Sequence, residues 1–429
     1  MTKIKVLRTT DSSFEDNFTS ALIRIKELST DVESVVKTIL KDVKENGDQS
    51  LFSYTEKYDG VRLDSSTLIV NPEDIEEAYK SLDSEEINAL TLAAKRIEQF
   101  HQKQMNRFSE INVGGETVAE IVRPLQRVGL YIPGGKAPYP SSVLMSAIPA
   151  RTAGVKDVVM VSPNVSSHVL AAAKIADVSC IYRVGGAQAI AALAYGTKSI
   201  PRVDKIAGPG NVYVETAKRL VFGEVGLDML AGPSEILIVA DDSAVPSFAA
   251  ADFLAQAEHD ENACPMLITT SESFLLEVNK EIFSQLKKLR RKEIAERSLE
   301  AQGIMILADN INEAVALANR IAPEHLELMV NEPNEVLKKI TCAGAVFLGN
   351  YSPVTAGDYL AGPSHILPTG RTARFFSPLG VDDFLKRMSV ISYSKDELME
   401  IGDAAKKLAL IEGLDAHAKA VEKRMSTKT

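Results

Sequence analysis

Arg127-Val128-Gly129-Leu130-Tyr131-Ile132-Pro133-Gly134-Gly135 is the stretch on which the fold turns. A short apolar, β-branched and aromatic run reads as a strand, and Pro133-Gly134-Gly135 ends it in a tight turn. Outward from it the pattern repeats. Helical periodicity covers 142–153, 169–176, 187–195 and 211–221, and strand-like runs cover 157–162, 180–184 and 204–207. Strand–helix alternation of this kind implies parallel strands joined by right-handed crossovers. Near residue 233 the rhythm restarts, with strands at 236–240, 266–270, 303–307, 326–330 and 345–348 and helices at 245–258, 273–292 and 311–321.

The flanks differ. Residues 13–110 read as helical, with one apolar stripe over 31–44 and a long pattern from 84 to about 108, of the sort that packs on another subunit. The segment 350–385 is rich in Gly, Pro, Ser and Thr and reads as a long ordered loop, and 394–423 returns to helix around Gly413. The expected fold is therefore α/β. It has two adjacent, Rossmann-like but incomplete parallel-sheet units, a helical N-terminal arm and a small helical C-terminal segment. The expected divisions are 1–117, 118–233, 234–385 and 386–429.

At 429 residues the chain exceeds one typical core. Hydrophobic residues at 45% and charged residues at 25% are ordinary globular values. The net charge of −10, from 48 basic and 58 acidic residues, with no basic face, argues against nucleic acid as a partner. Three scattered cysteines, Cys180, Cys264 and Cys342, make no metal or disulfide framework and fit a reducing compartment. With no secretory h-region and no long apolar run, the expectation is a cytoplasmic protein away from the membrane.

Of six histidines, His101 and His168 read as structural or solvated. Gln256-Ala257-Glu258-His259 ends a helical run, and its first and last residues share a face. An exposed glutamine beside a solvated histidine also accounts for that pair. Ala322-Pro323-Glu324-His325 leads into a strand, and an adjacent Glu and His are equipment for acid–base work, or a solvated pair. Asp358 lies in Ala356-Gly357-Asp358-Tyr359, His365 ends Gly362-Pro363-Ser364-His365, and Glu412 and His417 bracket a helix start. Gln256, His259, Asp358 and His417 together would make a shell for Zn²⁺ or another borderline divalent ion. Gly185-Gly186-Ala187-Gln188 and Gly208-Pro209-Gly210-Asn211 end strands of the first α/β unit. Backbone donors there would suit phosphates, but Tyr213 stands where a dinucleotide fingerprint has its third glycine, and plain tight turns account for these glycines more readily.

These residues resemble the histidinol dehydrogenases. The resemblance is densest at 129–135, 184–190, 206–211, 228–235, 256–259, 322–325, 356–359 and 412–417. It implies a zinc-dependent, NAD-linked, four-electron oxidation of L-histidinol to L-histidine through a histidinal-level intermediate. In that scheme Gln256, His259, Asp358 and His417 hold one zinc per site, and Glu324 and His325 exchange protons. Tyr131, Gln188 and Asn211, in 118–233, contact NAD. Ser234, His325 and Glu412 contact histidinol together with the zinc-ligand residues. The resemblance also implies a homodimer whose C-terminal segments are exchanged, so that Glu412 and His417 complete the partner's site. Arg371, Ser364 and Phe376-Ser377-Pro378-Leu379 stand apart from the family pattern. On the residues alone a zinc hydrolase with Glu324 as base stays open, as does a dehydrogenase of another amino alcohol. A non-catalytic binding protein is the third alternative, and the intact Glu324–His325 pair speaks against it.

Overall fold

The computed structural model describes residues 4–24, 30–106, 111–113, 118–134, 138–163 and 165–426; Gly135 and positions 107 and 108 of the long helix expected from 84 lie outside them. The chain divides into two compact units. The larger is Met1–Met105 with Leu125–Phe384, and the smaller is Asn106–Pro124 with Leu385–Thr429. In chain order the strands are β1 (Lys5–Arg8), β2 (Ile111–Val113), β3 (Val118–Pro124), β4 (Arg127–Tyr131), β5 (Asp157–Val161), β6 (Cys180–Tyr182) and β7 (Lys205–Ala207). They continue as β8 (Gly226–Leu227), β9 (Glu235–Ala240), β10 (Cys264–Thr269), β11 (Ile304–Leu307), β12 (His325–Met329), β13 (Ala345–Leu348) and β14 (Leu385–Ile391).

The larger unit holds two parallel sheets. One runs β6-β5-β4-β7-β8 and the other β1-β11-β10-β9-β12-β13. In the first, the chain starts at β4, builds outward through β5 and β6, then crosses back to lay β7 against the other side of β4. The β4/β7 junction is thus a topological switch point, where open α/β sheets form a crevice at their strand ends. The second sheet repeats this logic from β9, with β10 and β11 on one side and β12 and β13 on the other.

Every residue of β9, β10 and β12 is buried. Alternate side chains of β9 enter two separate cores: Ile236, Ile238 and Ala240 face one, and Leu237 and Val239 the other. Helices cover both faces, which explains why these strands read as continuous apolar runs rather than alternating ones.

In the smaller unit β14 pairs antiparallel with β3, and β3 with β2. The helices Lys395–Ile411 and Asp415–Ser426 pack together there, turning at Gly413 with φ 74. Ser394 and Glu397 form a reciprocal capping box at the start of the first of them.

Several local expectations need correction. Lys5–Arg8 is a strand paired with β11, ahead of the helical arm. β14 opens the segment expected to be helical from 386. The helix expected over 273–292 is two helices, Glu272–Leu286 and Lys292–Ala301, the first capped by Ser271. The long helix expected from 84 is Ser84–Met105; within the chain it packs on the helix Pro140–Thr152, and its Ala93, Ala94, Ile97 and His101 are buried. Among the described residues no helix is long and apolar enough to cross a membrane.

Candidate active site

The site is built on opposite edges of the two sheets. Tyr131 ends β4, Gln188 lies in the first turn of the helix Gly186–Tyr195 after β6, and Asn211 follows β7, all at the carboxyl ends of the first sheet. Glu324 and His325 instead lead into β12, and Ser234 immediately precedes β9, at the amino ends of the second sheet. Gln256 and His259 reach that same edge because the helix Pro246–Ala257 runs back from the end of β9 toward the start of β10.

Register brings Glu324 and His325 together with Glu235. His325 lies opposite Ile236 in the β12–β9 ladder. The Glu235 amide donates to Glu324 Oε2 at 2.7 Å, and His325 Nδ1 donates to the Glu235 carbonyl at 2.9 Å. One residue's backbone therefore fixes both neighbours. With its proton on Nδ1, the imidazole turns Nε2 toward Asp358, whose Oδ1 is 3.6 Å away, while Glu324 Oε2 sits 3.4 Å from Nδ1. Burial alone would push the His325 imidazole down. Glu324 and Asp358 outweigh it and hold it well above its ordinary value.

Asp358 lies in the last turn of the short helix Val354–Tyr359. Burial works against its carboxylate, but His325, with His365 and His259 nearby, brings it below the usual range. His365 Nδ1 donates to the Asp358 carbonyl at 2.8 Å, leaving Nε2 to accept from Ser142 Oγ at 3.2 Å. Burial lowers its basicity, which keeps that neutral form. Ser142 belongs to the helix that follows β4, so this chain of bonds joins the two sheet edges directly.

Two buried carboxyls were invisible to sequence reasoning as parts of the site. Glu235 is 0% exposed; its Oε1 accepts from the Gly370 amide at 2.7 Å, and burial, then the charge of Glu324, lifts it to about 8. Glu327, two residues beyond His325, accepts from the Val354 amide at 3.1 Å, and burial and Asp252 raise it well above its ordinary value. A Glu inside the otherwise apolar run Leu326-Glu327-Leu328-Met329 was the available signal.

The glycine turns have the form of plain tight turns, with these amides bonded within the fold. Gly186 donates to the Tyr131 hydroxyl at 3.1 Å, Gly208 to Asp228 Oδ2 at 2.8 Å and Gly210 to Glu215 Oε1 at 2.9 Å. Tyr213 and Val214 amides both go to Asn211 Oδ1. A dinucleotide would be held here by side chains. Gln188 fits that role, since its amide Nε2 is buried without a hydrogen-bond partner, and Asn211 is exposed.

The donors expected for zinc are distributed over both units. Gln256 is buried with its Nε2 unpartnered, His259 is exposed, and Asp358 lies within electrostatic range of His259. A neutral oxygen, an imidazole and a carboxylate suit Zn²⁺. Glu412 and His417 stand exposed on the smaller unit. Among the described residues no cluster of three or more His, Cys, Asp or Glu side chains is placed to hold a metal. The larger unit contributes only His259 and Asp358 of those types, so its three donors leave a tetrahedral shell one ligand short.

Of the three loop features that stood apart, Arg371 adopts left-handed backbone with φ 69, and Ser364 Oγ donates to the Met145 carbonyl at 3.2 Å.

A profile of the histidinol dehydrogenase family matches residues 23–425. The chain is 50% identical over 429 residues to the histidinol dehydrogenase of Geobacter metallireducens, covering 98% of each. It is 48% identical over 422 residues to that of Aquifex aeolicus, covering 98% of this chain and 99% of the relative. The crystal structure of histidinol dehydrogenase from Elizabethkingia anophelis superposes with a TM-score of 0.92 at 37% identity, covering 98% of both chains.

Proposed function

The chain belongs to the histidinol dehydrogenase family, whose NAD-dependent oxidation of histidinol to histidine serves histidine biosynthesis, and from that premise we propose how its own residues divide the work. The family sets aside the hydrolase and the non-catalytic binding protein. The reaction removes four electrons in two hydride transfers, with water adding to the aldehyde-level intermediate between them.

His325, in its neutral form, is the base toward the substrate hydroxyl, and the Glu324 and Asp358 charges that raise its basicity favour that transfer. Its Nδ1 proton is committed to the Glu235 carbonyl, so exchange occurs at Nε2, the nitrogen that faces Asp358. Glu324 anchors one carboxylate oxygen on the Glu235 amide and keeps Oε1 for the water that attacks the aldehyde-level carbon. The first oxidation releases a proton to His325. Addition of water and the second oxidation release two more, of which Glu324 takes the one from water. The fixed geometry of both groups, set by β9, is the observation that carries this assignment.

Gln256, His259, Asp358 and His417 would hold zinc, whose chemistry is to polarise and orient the substrate's nitrogen and oxygen donors. Tyr131, Gln188 and Asn211 would hold NAD⁺, which supplies hydride acceptance. Ser234, His325 and Glu412 would contact histidinol together with the zinc-ligand residues. In this reading His417 and Glu412 are given to the site of a second copy of the chain. Supporting it, Leu408, Leu410, Ile411 and Leu414 stand exposed around Glu412, an apolar surface that a homodimer would cover. Three free thiols fit work in a reducing cytoplasm.

The test is stoichiometric. Purified protein given L-histidinol and excess NAD⁺ should form two NADH per histidinol, lose activity to a chelator and regain it with Zn²⁺. No NADH from a preparation with confirmed metal content overturns the assignment.

A further inference from the structure

One buried ionic cluster in the larger unit is used by none of the steps above. Lys218 lies in the helix Val212–Val221 with a side chain that is 0% exposed. Its Nζ pairs with Asp228 Oδ1 at 2.9 Å, approaches Glu215 Oε1 at 3.6 Å and donates to the Gly208 carbonyl at 3.0 Å. Asp228 Oδ2 accepts from the Gly208 amide, and Glu215 accepts from the Gly210 amide through Oε1 and from the Ala231 amide at 2.8 Å through Oε2. Both polar groups of Gly208, the amide of Gly210 and the crossover that leads to Ser234 are thus tied to one set of three side chains.

Gly208 is the critical point of the turn. Its φ is +112, and a Cβ there would lie 2.2 Å from the Tyr131 carbonyl oxygen, so the turn and the end of β4 are in closest approach. Tyr131 in turn takes the Gly186 amide on its hydroxyl, at the start of the helix that carries Gln188. A displacement of Gly208 therefore reaches Tyr131, Gln188 and Asn211 together.

Burying such charges is costly, and an apolar replacement of similar volume is often as stable or more so. Stability alone does not explain the cluster, whereas geometry does. We propose that Lys218, Asp228 and Glu215 are positioning residues for the dinucleotide, holding the Gly208-Pro209-Gly210-Asn211 turn in its binding conformation. The inference rests on the assignment of Tyr131, Gln188 and Asn211 to NAD.

The experiment uses the full-length protein and NAD⁺ itself, with affinity by calorimetry, steady-state kinetics in both substrates and thermal unfolding. Lys218→Met should raise the Kd and KM for NAD⁺ roughly tenfold or more, as expected for losing a charged hydrogen bond, while histidinol KM and saturated kcat move by less than about threefold. In Lys218→Met/Asp228→Asn the charge that lost its direct ion pair is gone, Glu215 keeps the Gly210 and Ala231 amides, and the Gly208 carbonyl stays untethered. Tm should recover there while the Kd stays raised. This pair also serves if the single variant does not fold. An unchanged Kd in folded Lys218→Met, or Kd and Tm recovering together in the double variant, overturns the proposal. Gln188→Leu reports on the site itself. If it leaves NAD⁺ binding intact, the Gln188 assignment is what fails, and the Lys218 result still decides for or against the cluster.

Discussion

Glu235→Gln offers a test with the sign fixed in advance. The Glu235 carboxyl is 0% exposed and, lifted first by burial and then by Glu324, holds its proton to about 8 against an ordinary value of 4.5. An acid raised on folding binds a proton in the native state that the unfolded chain has already lost. Stability therefore falls with rising pH between the two values and is level outside them. At about 1.4 kcal/mol per unit, the full cost above pH 8 is roughly 5 kcal/mol, and the change from pH 5.5 to 7.5 is roughly 3 kcal/mol. Glutamine has the shape of the neutral acid and keeps an oxygen for the Gly370 amide, but does not titrate.

The assay is urea unfolding of both proteins at pH 5.5, 6.5 and 7.5 and equal concentration. It is followed by far-ultraviolet circular dichroism because the chain has no tryptophan. Titrating groups that do not interact with Glu235 are common to the two proteins and cancel in the difference. The variant should gain on the wild type by about 1.4 kcal/mol for each unit of pH. A difference that stays flat across this range would show that Glu235 is already ionised, and would refute the account of a neutral carboxyl beside Glu324.

Two further outcomes test the site. Glu324→Gln keeps an acceptor for the Glu235 amide but cannot take a proton from water, so in single-turnover experiments the first NADH should form nearly as fast as in wild type and the second should be slowed about a hundredfold or more; equal slowing of both phases counts against the water-activating role. Gly344→Ala would place a Cβ 2.5 Å from the Glu324 carbonyl oxygen, forcing the Glu324–His325 peptide to move. It should cost roughly 1–3 kcal/mol of stability and about a hundredfold in kcat/KM, with NAD⁺ affinity unchanged, and kcat/KM within twofold of wild type would contradict it.

The parts of the fold that were legible were those whose side chains record their surroundings. β9, β10 and β12 are covered on both faces, and their unbroken apolar runs announce it. The Glu324–His325 pair was legible from its place before such a run. β1 was not, because an edge strand is chosen by backbone pairing with β11, and only Leu7 among its four residues is buried. β14 was equally silent, since its side chains are mostly exposed. Glu215 and Lys218 look like a solvated pair three residues apart, and only the tertiary fold reveals them as buried. Glu235 lies in 228–235, one of the stretches that carry the family resemblance, but its role comes from two backbone bonds that no residue type encodes.

The opposed sheet edges explain why Glu324 and His325, the proposed acid–base pair, lie at the start of β12 rather than at its end. Carboxyl ends of parallel strands feed helix N-termini and gather amide donors for a ligand. The first sheet follows that plan in topology, yet spends its amides on Asp228, Glu215, Asn211 and Tyr131. At the amino edge of the second sheet, strand-opening amides are offered to side chains instead: Glu235 to Glu324, and across the loop Gly370 to Glu235. That edge is suited to holding carboxyls in fixed positions, which proton transfer needs, while the first edge is suited to a cofactor gripped by side chains. The Ser142–His365–Asp358 bonds fasten one edge to the other. In the proposed reading the hydride acceptor is held at the first edge, while substrate binding and proton transfer share the second.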